Sequence, residues 1–213
     1  MSRGRRPRGL LLDAMGTLIG LRDPVGRTYA AAAARHGIQA DPEAVERAFR
    51  ISYLQAPALA FPGLSGEDLE RAERSWWGDR IRESLGGAGG PPAPEDLVHE
   101  LFRHYADPAH WRVYDDVPAQ LERWHGRGLG LAVVSNFDSR LPGLLEGLGL
   151  ARWLSVVVVS SAAGAAKPQP TPFRLALQAL GLSPSQAWHV GDSPEDVQGA
   201  AAAGLRCLLV RRP

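Results

Sequence analysis

The sequence predicts an α/β fold. A parallel sheet is covered by helices on both faces, and a block of helices is inserted after the first strand. Two observations carry this expectation. The second half of the chain alternates short apolar runs with helical patterns, and those runs are continuously apolar, as strands buried on both faces require. A third observation sets the insertion apart: from Pro24 to about Pro108 the pattern is helical throughout.

The elements follow in order. Gly9-Leu10-Leu11-Leu12 is a short apolar run ending at Asp13 and fits a buried strand. Pro24 suits the first turn of a helix whose body is Tyr29 to His36 and which stops at Gly37. Asp41-Pro42-Glu43 opens a second helix with Val45, Phe49 and Ile51 among its apolar positions. Ser65-Gly66-Glu67-Asp68 caps a third, which contains Trp76, Trp77 and Ile81 and stops at Gly86-Gly87. Gly86 to Pro94 reads as a flexible turn, and Glu95 to Tyr105 as a fourth helix.

After Trp111 the rhythm changes. Helices are expected over Pro118 to Gly126, Ser139 to Leu148, Thr171 to Leu180 and Glu195 to Ala203. Strands are expected over Leu129 to Val134, Val156 to Val159, Ala187 to Val190 and Leu205 to Val210.

Composition narrows the functions. The 213 residues include 24 Lys or Arg and 23 Asp or Glu, a net charge of +1, which argues against general nucleic-acid binding. With 45% hydrophobic residues the chain can bury a real core, so intrinsic disorder is excluded. One cysteine, Cys207, excludes a disulfide framework and a multi-thiolate zinc site. The most apolar stretch, Trp153 to Ala166, has 14 residues, whereas a spanning helix needs roughly 20. The basic run from Ser2 to Gly9 reads as a solvated tail. It leads into only a few apolar residues before Asp13, so no signal-peptide core is evident and a cytoplasmic location is expected. Only one of the 24 basic residues is a lysine, Lys167.

In open parallel sheets, ligands sit beyond the C-terminal ends of the strands. The polar residues that follow the predicted strands are Asp13, then Ser135 and Asn136, then Ser160 and Ser161, then Gly191-Asp192, with Lys167 a few residues past the third strand. A strand-end carboxylate can attack an electrophilic centre such as phosphorus. Several carboxylates meeting there repel one another unless a cation bridges them, and hard oxygen donors select Mg²⁺. Asp13, Asp192 and Asp196 can supply that cluster, with Asp196 near the opening turn of a helix that favours anions. Ser135 and the Asn136 N–H can bond phosphate oxygens, and Lys167 can neutralise phosphate charge.

These residues fall into four motifs: Asp13-Ala14-Met15-Gly16-Thr17-Leu18, Val133-Val134-Ser135-Asn136, Lys167-Pro168 and Gly191-Asp192-Ser193-Pro194-Glu195-Asp196. In that order the chain resembles the haloacid dehalogenase-like hydrolase superfamily. Asp23-Pro24, Trp76-Trp77 and Ser135-Asn136-Phe137-Asp138 are most similar to its domain-containing group. The resemblance implies a Rossmann-like core over residues 1–20 and 111–213 and an α-helical cap over residues 21–110. It implies Asp13 as nucleophile and Mg²⁺ ligand, Lys167 as the residue that orders the site, and Ser135 and Asn136 as phosphate binders. Asp192 would ligate the metal, and Asp196 would do so directly or through water. The implied partner is a small phosphorylated molecule, with no nucleic acid or membrane, for a monomer or homodimer.

One position departs. The family's phosphatases carry a second Asp two residues after the nucleophile, which protonates the leaving group. Met15 stands there. A thioether donates no proton, although the Met15 backbone carbonyl remains available to a metal. General acid–base catalysis is worth about 10²–10⁴-fold.

Three readings stay open: a phosphatase acting on leaving groups that need no proton or drawing one from the cap, a 2-haloacid dehalogenase, and a non-catalytic member that binds a phosphorylated ligand. Asp23 and His36 are candidate cap donors, although surface polar roles suit both better. A phosphonate-cleaving Schiff-base mechanism needs a second lysine and is excluded. Glu195 competes with Asp196, and Asp196 is preferred. Trp76, Trp77 and Trp111 are expected to pack the core or the seam between cap and core. His189 is expected as a packed histidine, and Cys207 as a small buried hydrophobe. His99 and His104 are not spaced as a zinc pair.

Overall fold

The computed structural model describes residues 6–212. Residues 1–5 of the expected basic tail lie outside them. The tail ends sooner than expected, because the Arg8 N–H already donates to the Gln186 carbonyl (2.7 Å).

The elements in chain order are β1 (Gly9–Leu12), β2 (Ile19–Leu21), α1 (Val25–Arg35), α2 (Pro42–Gln55), α3 (Gly66–Gly87), α4 (Glu95–His104), β3 (Trp111–Val113), α5 (Val117–His125), β4 (Gly130–Ser135), α6 (Leu141–Gly147), β5 (Val156–Val159), α7 (Ser160–Ala163), α8 (Thr171–Leu180), β6 (Ala187–Gly191), α9 (Pro194–Ala202) and β7 (Arg206–Leu209). Among the described residues no helix is long and apolar enough to cross a membrane.

Five strands form one sheet in the order β5-β4-β1-β6-β7, and every pairing is parallel. The fold is a Rossmann-like α/β core. Side chains alternate between the two faces of a strand, and β1 shows the result. Leu10 and Leu12 pack with Leu121, Leu141 and Leu144 of α5 and α6. Leu11 packs on the opposite face with Phe173, Leu177 and Ala200 of α8 and α9. Both faces are apolar, which is why the strand sequences do not alternate.

The helices α1–α4 close around their own cluster, built from Tyr29, Val45, Ile81, Leu85 and Leu97. Asp41 caps α2 by accepting the Ala44 N–H at 2.9 Å. Ser65 sits at the N-terminus of α3 but makes no side-chain cap bond, contrary to expectation; Glu67 and Asp68 place negative charge in that first turn instead. The chain enters and leaves this helical unit through β2 and β3, a two-stranded antiparallel ribbon pairing Ile19 with Val113 and Leu21 with Trp111. This ribbon was not expected.

The helical unit is tied to the loop after β4. Trp77 Nε1 donates to Asp138 (2.6 Å), Glu73 accepts from the Ser139 N–H (3.0 Å) and hydroxyl, and Arg140 donates to the Phe102 carbonyl (2.8 Å). Trp76 and Trp111 are buried as expected, and Trp77 lies in the seam. Cys207 is only half-buried.

Candidate active site

β1 lies between β4 and β6, with Leu12 opposite both Val133 and Val190. The C-terminal ends of three adjacent strands therefore meet where the strand order reverses, the usual ligand position of such sheets. Asp13 leaves β1 there, Ser135 ends β4, and Asp192 follows β6.

Asp13 is 4% exposed, and its Oδ1 accepts from Lys167 Nζ at 2.6 Å and from the Ser135 hydroxyl at 3.1 Å. Oδ2 accepts no hydrogen bond from another described residue. The first motif then turns sharply. The Gly16 N–H donates to the Ile19 carbonyl and the Ile19 N–H to the Ala14 carbonyl, a pattern that leaves the Met15 carbonyl without a backbone donor among the described residues. Gly16 has φ +83, and a Cβ there would stand 2.2 Å from an Asp192 oxygen, so only glycine lets the turn pass the acidic loop. The Met15 side chain is 41% exposed.

Lys167 reaches the site from beyond β5 and bridges two carboxylates, with Asp196 Oδ1 also at 2.6 Å. Burial by itself lowers the ammonium pKa, but the charges and bonds of Asp13 and Asp196 outweigh it and hold the group above its ordinary value. Asn136 fixes the lysine's backbone: its side chain donates to the Lys167 carbonyl (3.0 Å) and accepts the Lys167 N–H (2.7 Å).

Asp196 is fully buried, whereas Glu195 is exposed. Its Oδ1 takes Lys167 Nζ and meets His189 Nε2 at 2.7 Å; its Oδ2 takes the Asp192 N–H, the Ser193 N–H and the Ser193 hydroxyl. Burial would raise its pKa, but the His189 bond and the Lys167 charge keep it well below the usual carboxylate range. Ser193 and Asp196 cap α9 reciprocally, so the same bonds start the helix and shape the acidic loop.

His189 was expected to be a packed histidine, and it does pack, edge-on against Phe173 at 4.9 Å. It also supports Asp196, which sequence reasoning missed. The available signal was its period: residue 189 shares a strand face with the strand-end residue 191. Thr17 was missed as well; its hydroxyl lies 3.4 Å from Asp192.

One oxygen each from Asp13, Asp192 and Asp196 lie within 4.8 Å of one another. Burial first, then the charges of Asp13 and Asp196, push Asp192 up to about 6. Three clustered carboxylates with one lysine carry the excess negative charge that a hard divalent cation relieves. The free Asp13 Oδ2, Asp192 and the free Met15 carbonyl are oxygen donors that fit Mg²⁺. Asp196, with both oxygens engaged by five groups, fits a role through water.

Above the strand ends lies a cavity of about 640 Å³ between core and helical unit, bordered by Met15 and Asn136 on one side and by Phe49, Tyr53 and Trp77 on the other. Asp23 borders it too. His36 does not, and is held by Glu100 at 2.8 Å.

Residues 7–204 match the profile of the haloacid dehalogenase-like hydrolases. The chain is 38% identical over 207 residues to the human haloacid dehalogenase-like hydrolase domain-containing protein 3, covering 96% of this chain and 82% of that one. It is 39% identical over 137 residues to a phosphoserine phosphatase of Thermus thermophilus, covering 62% of this chain and 53% of that one. Among solved structures it resembles L-2-haloacid dehalogenase of Xanthobacter autotrophicus, with a TM-score of 0.71 at 23% identity over 96% of this chain and 77% of that one. It also resembles CbbY of Rhodobacter sphaeroides in complex with phosphate, with a TM-score of 0.66 at 21% identity over 97% and 87%.

Proposed function

The chain belongs to the haloacid dehalogenase-like hydrolases, and from that premise we propose that it is a Mg²⁺-dependent phosphatase. Its substrate is a small phosphorylated metabolite, and the phosphoryl group passes through Asp13. The observation that carries this reading is the buried Lys167 ammonium bonded to Asp13 and Asp196, beside an acidic cluster that needs a cation. A relative named phosphoserine phosphatase supports the same chemistry.

In this reading residues 21–110 are the cap and the remainder is the core. Asp13, Asp192 and the Met15 carbonyl hold Mg²⁺, with Asp196 acting through water. The bound ion supplies neutralisation of phosphate oxygen charge. Lys167 and the Ser135 hydroxyl hold the Asp13 carboxylate through Oδ1 and so fix its orientation for attack. The Asn136 N–H and, once turned, the Ser135 hydroxyl receive the phosphate oxygens. An Asp13 carboxylate oxygen bonds to phosphorus as the bond to the leaving oxygen breaks, giving an aspartyl phosphate. Water then attacks phosphorus and restores the carboxylate.

A second reading, phospholigand binding without turnover, is favoured by Met15 alone. The test is a panel of phosphate esters with and without Mg²⁺, run beside a 2-haloacid. Metal-dependent phosphate release is expected. Metal-independent halide release would convert the reading to a dehalogenase, and no turnover beside retained phosphate binding would favour the binder.

A further inference from the structure

Resting on the phosphatase reading, we propose that the leaving group this site serves is a phenol: the substrate class is the aryl phosphomonoester, with its ring seated in the cavity beside Met15. The cavity begins at the reacting end of the sheet, because Met15 and Asn136 border it and are the near neighbours of Asp13 and Ser135. Its opposite wall is aromatic. Tyr53 lies near-parallel to Trp77 (29°, centroids 6.3 Å) and to Phe49 (32°, 5.9 Å). Such a bank of rings receives a flat ring by offset or edge contacts.

The polar groups of the cavity make poor acids for the leaving oxygen. No histidine borders it. Glu46 accepts the Gly26 N–H at 2.7 Å and pairs with Arg50; Asp23 pairs with Arg27 at the surface. Arginine gives up no proton near neutral pH. Burial and the Asp13 charge hold the Tyr53 hydroxyl above its ordinary pKa, the wrong direction for a donor.

The leaving oxygen therefore departs as an anion. A phenol, with a pKa of about 10, tolerates that; an alcohol, close in acidity to water at about 15.7, does not. Missing acid selects a good leaving group, and the aromatic wall selects a ring over a small acyl group. In the balanced step an Asp13 oxygen bonds to phosphorus, and the phosphorus–aryl oxygen bond breaks with its electron pair on the phenolate. The phenolate takes its proton from solvent. Water then attacks phosphorus, the bond from Asp13 to phosphorus breaks, and the water's proton leaves with phosphate or to solvent. Met15 also leaves this second half without a base, so the aspartyl phosphate accumulates.

The test compares phenyl phosphate, acetyl phosphate and glycerol 1-phosphate on the whole chain with Mg²⁺. Expected for the wild type are a burst of one phenol per site and a kcat/KM for phenyl phosphate about 10²–10⁴-fold above that for glycerol phosphate. Met15→Asp should narrow that ratio at least about tenfold by raising the alkyl substrate. Tyr53→Ala, or Tyr53→Leu if the first variant folds poorly, should raise KM for phenyl phosphate about tenfold more than KM for acetyl phosphate. Glycerol phosphate turned over as well as phenyl phosphate would overturn this inference and leave the phosphatase reading standing. Equal KM changes for the ring and acetyl substrates would overturn the seating of the ring. No phosphate release from any of the three would overturn both.

Discussion

Lys167 serves two carboxylates with one ammonium, at 2.6 Å each, in a space only 6% exposed. A compact point charge fits between Asp13 and Asp196; the wide planar fork of a guanidinium does not. That is a physical reason for the chain's single lysine to stand here while arginine fills the other 23 basic positions. Lys167→Arg is expected to lower kcat by about 10²–10³-fold, the usual cost of losing one preorganised donor, with the circular dichroism of the fold kept. A variant within twofold of wild type in the same phosphate-release assay would refute the assignment. The opposite case is Asp196. Its sequence neighbour Glu195 carries the same charge, but only Asp196 is buried; burial alone would raise its pKa, and the His189 bond with the Lys167 charge and bond overcome that and keep it anionic beside the lysine.

At the level of elements, the loop after β4 has two tasks. Ser135 at the end of β4 and Asn136 at the start of the loop face Asp13 and Lys167, and the next residues, Asp138 to Arg140, hold α3 and α4. Asp138 is fully buried and takes Trp77 Nε1 together with a two-bond contact from Arg140. Asp138→Ala strands a largely desolvated guanidinium, which costs about 3–5 kcal/mol. Urea unfolding should show a loss of that size, and a change below about 1 kcal/mol would mean that the pair is solvated. Leu11→Ala, in the middle of the central strand and without exposure, should cost about 2–5 kcal/mol by the same measurement.

Legibility in the sequence followed element length and burial. The runs Gly9–Leu12 and Val156–Val159 announce themselves because both faces are apolar. The three-residue strands β2 and β3 carry no period long enough to detect, and the four residues of α7 make little more than one helical turn. The acids of the site were legible because strand ends collect function. His189 was not, because its role exists only once β6 and the turn of α9 fold against each other. Trp77 was read as packing, and it packs, but it also borders the cavity.

For the whole molecule, the proposed cation binding would be linked to folding. A ligand that binds only the folded state stabilises it by about 2.7 kcal/mol at a hundred times its Kd. For a chain of this size that is a rise of about 5–11 °C in Tm. Thermal scans with and without Mg²⁺ should show the rise in wild type and lose most of it in Asp192→Asn. Equal rises in both would remove Asp192 from the cation's ligands. Charge at this scale is otherwise balanced, at +1, so the field that attracts an anionic ligand is local, set by Lys167, the backbone amides and whatever cation the acids hold.

The ribbon of β2 and β3 has a consequence for descent. Because Leu21 and Trp111 are paired partners, the chain departs from and returns to the sheet at a single spot. Everything between them can be lengthened, lost or exchanged in the gene while the registers of the parallel ladder stay as they are. Most of the cavity's lining can thus change with the inserted segment, while Met15, Asn136 and the strand ends stay with the sheet.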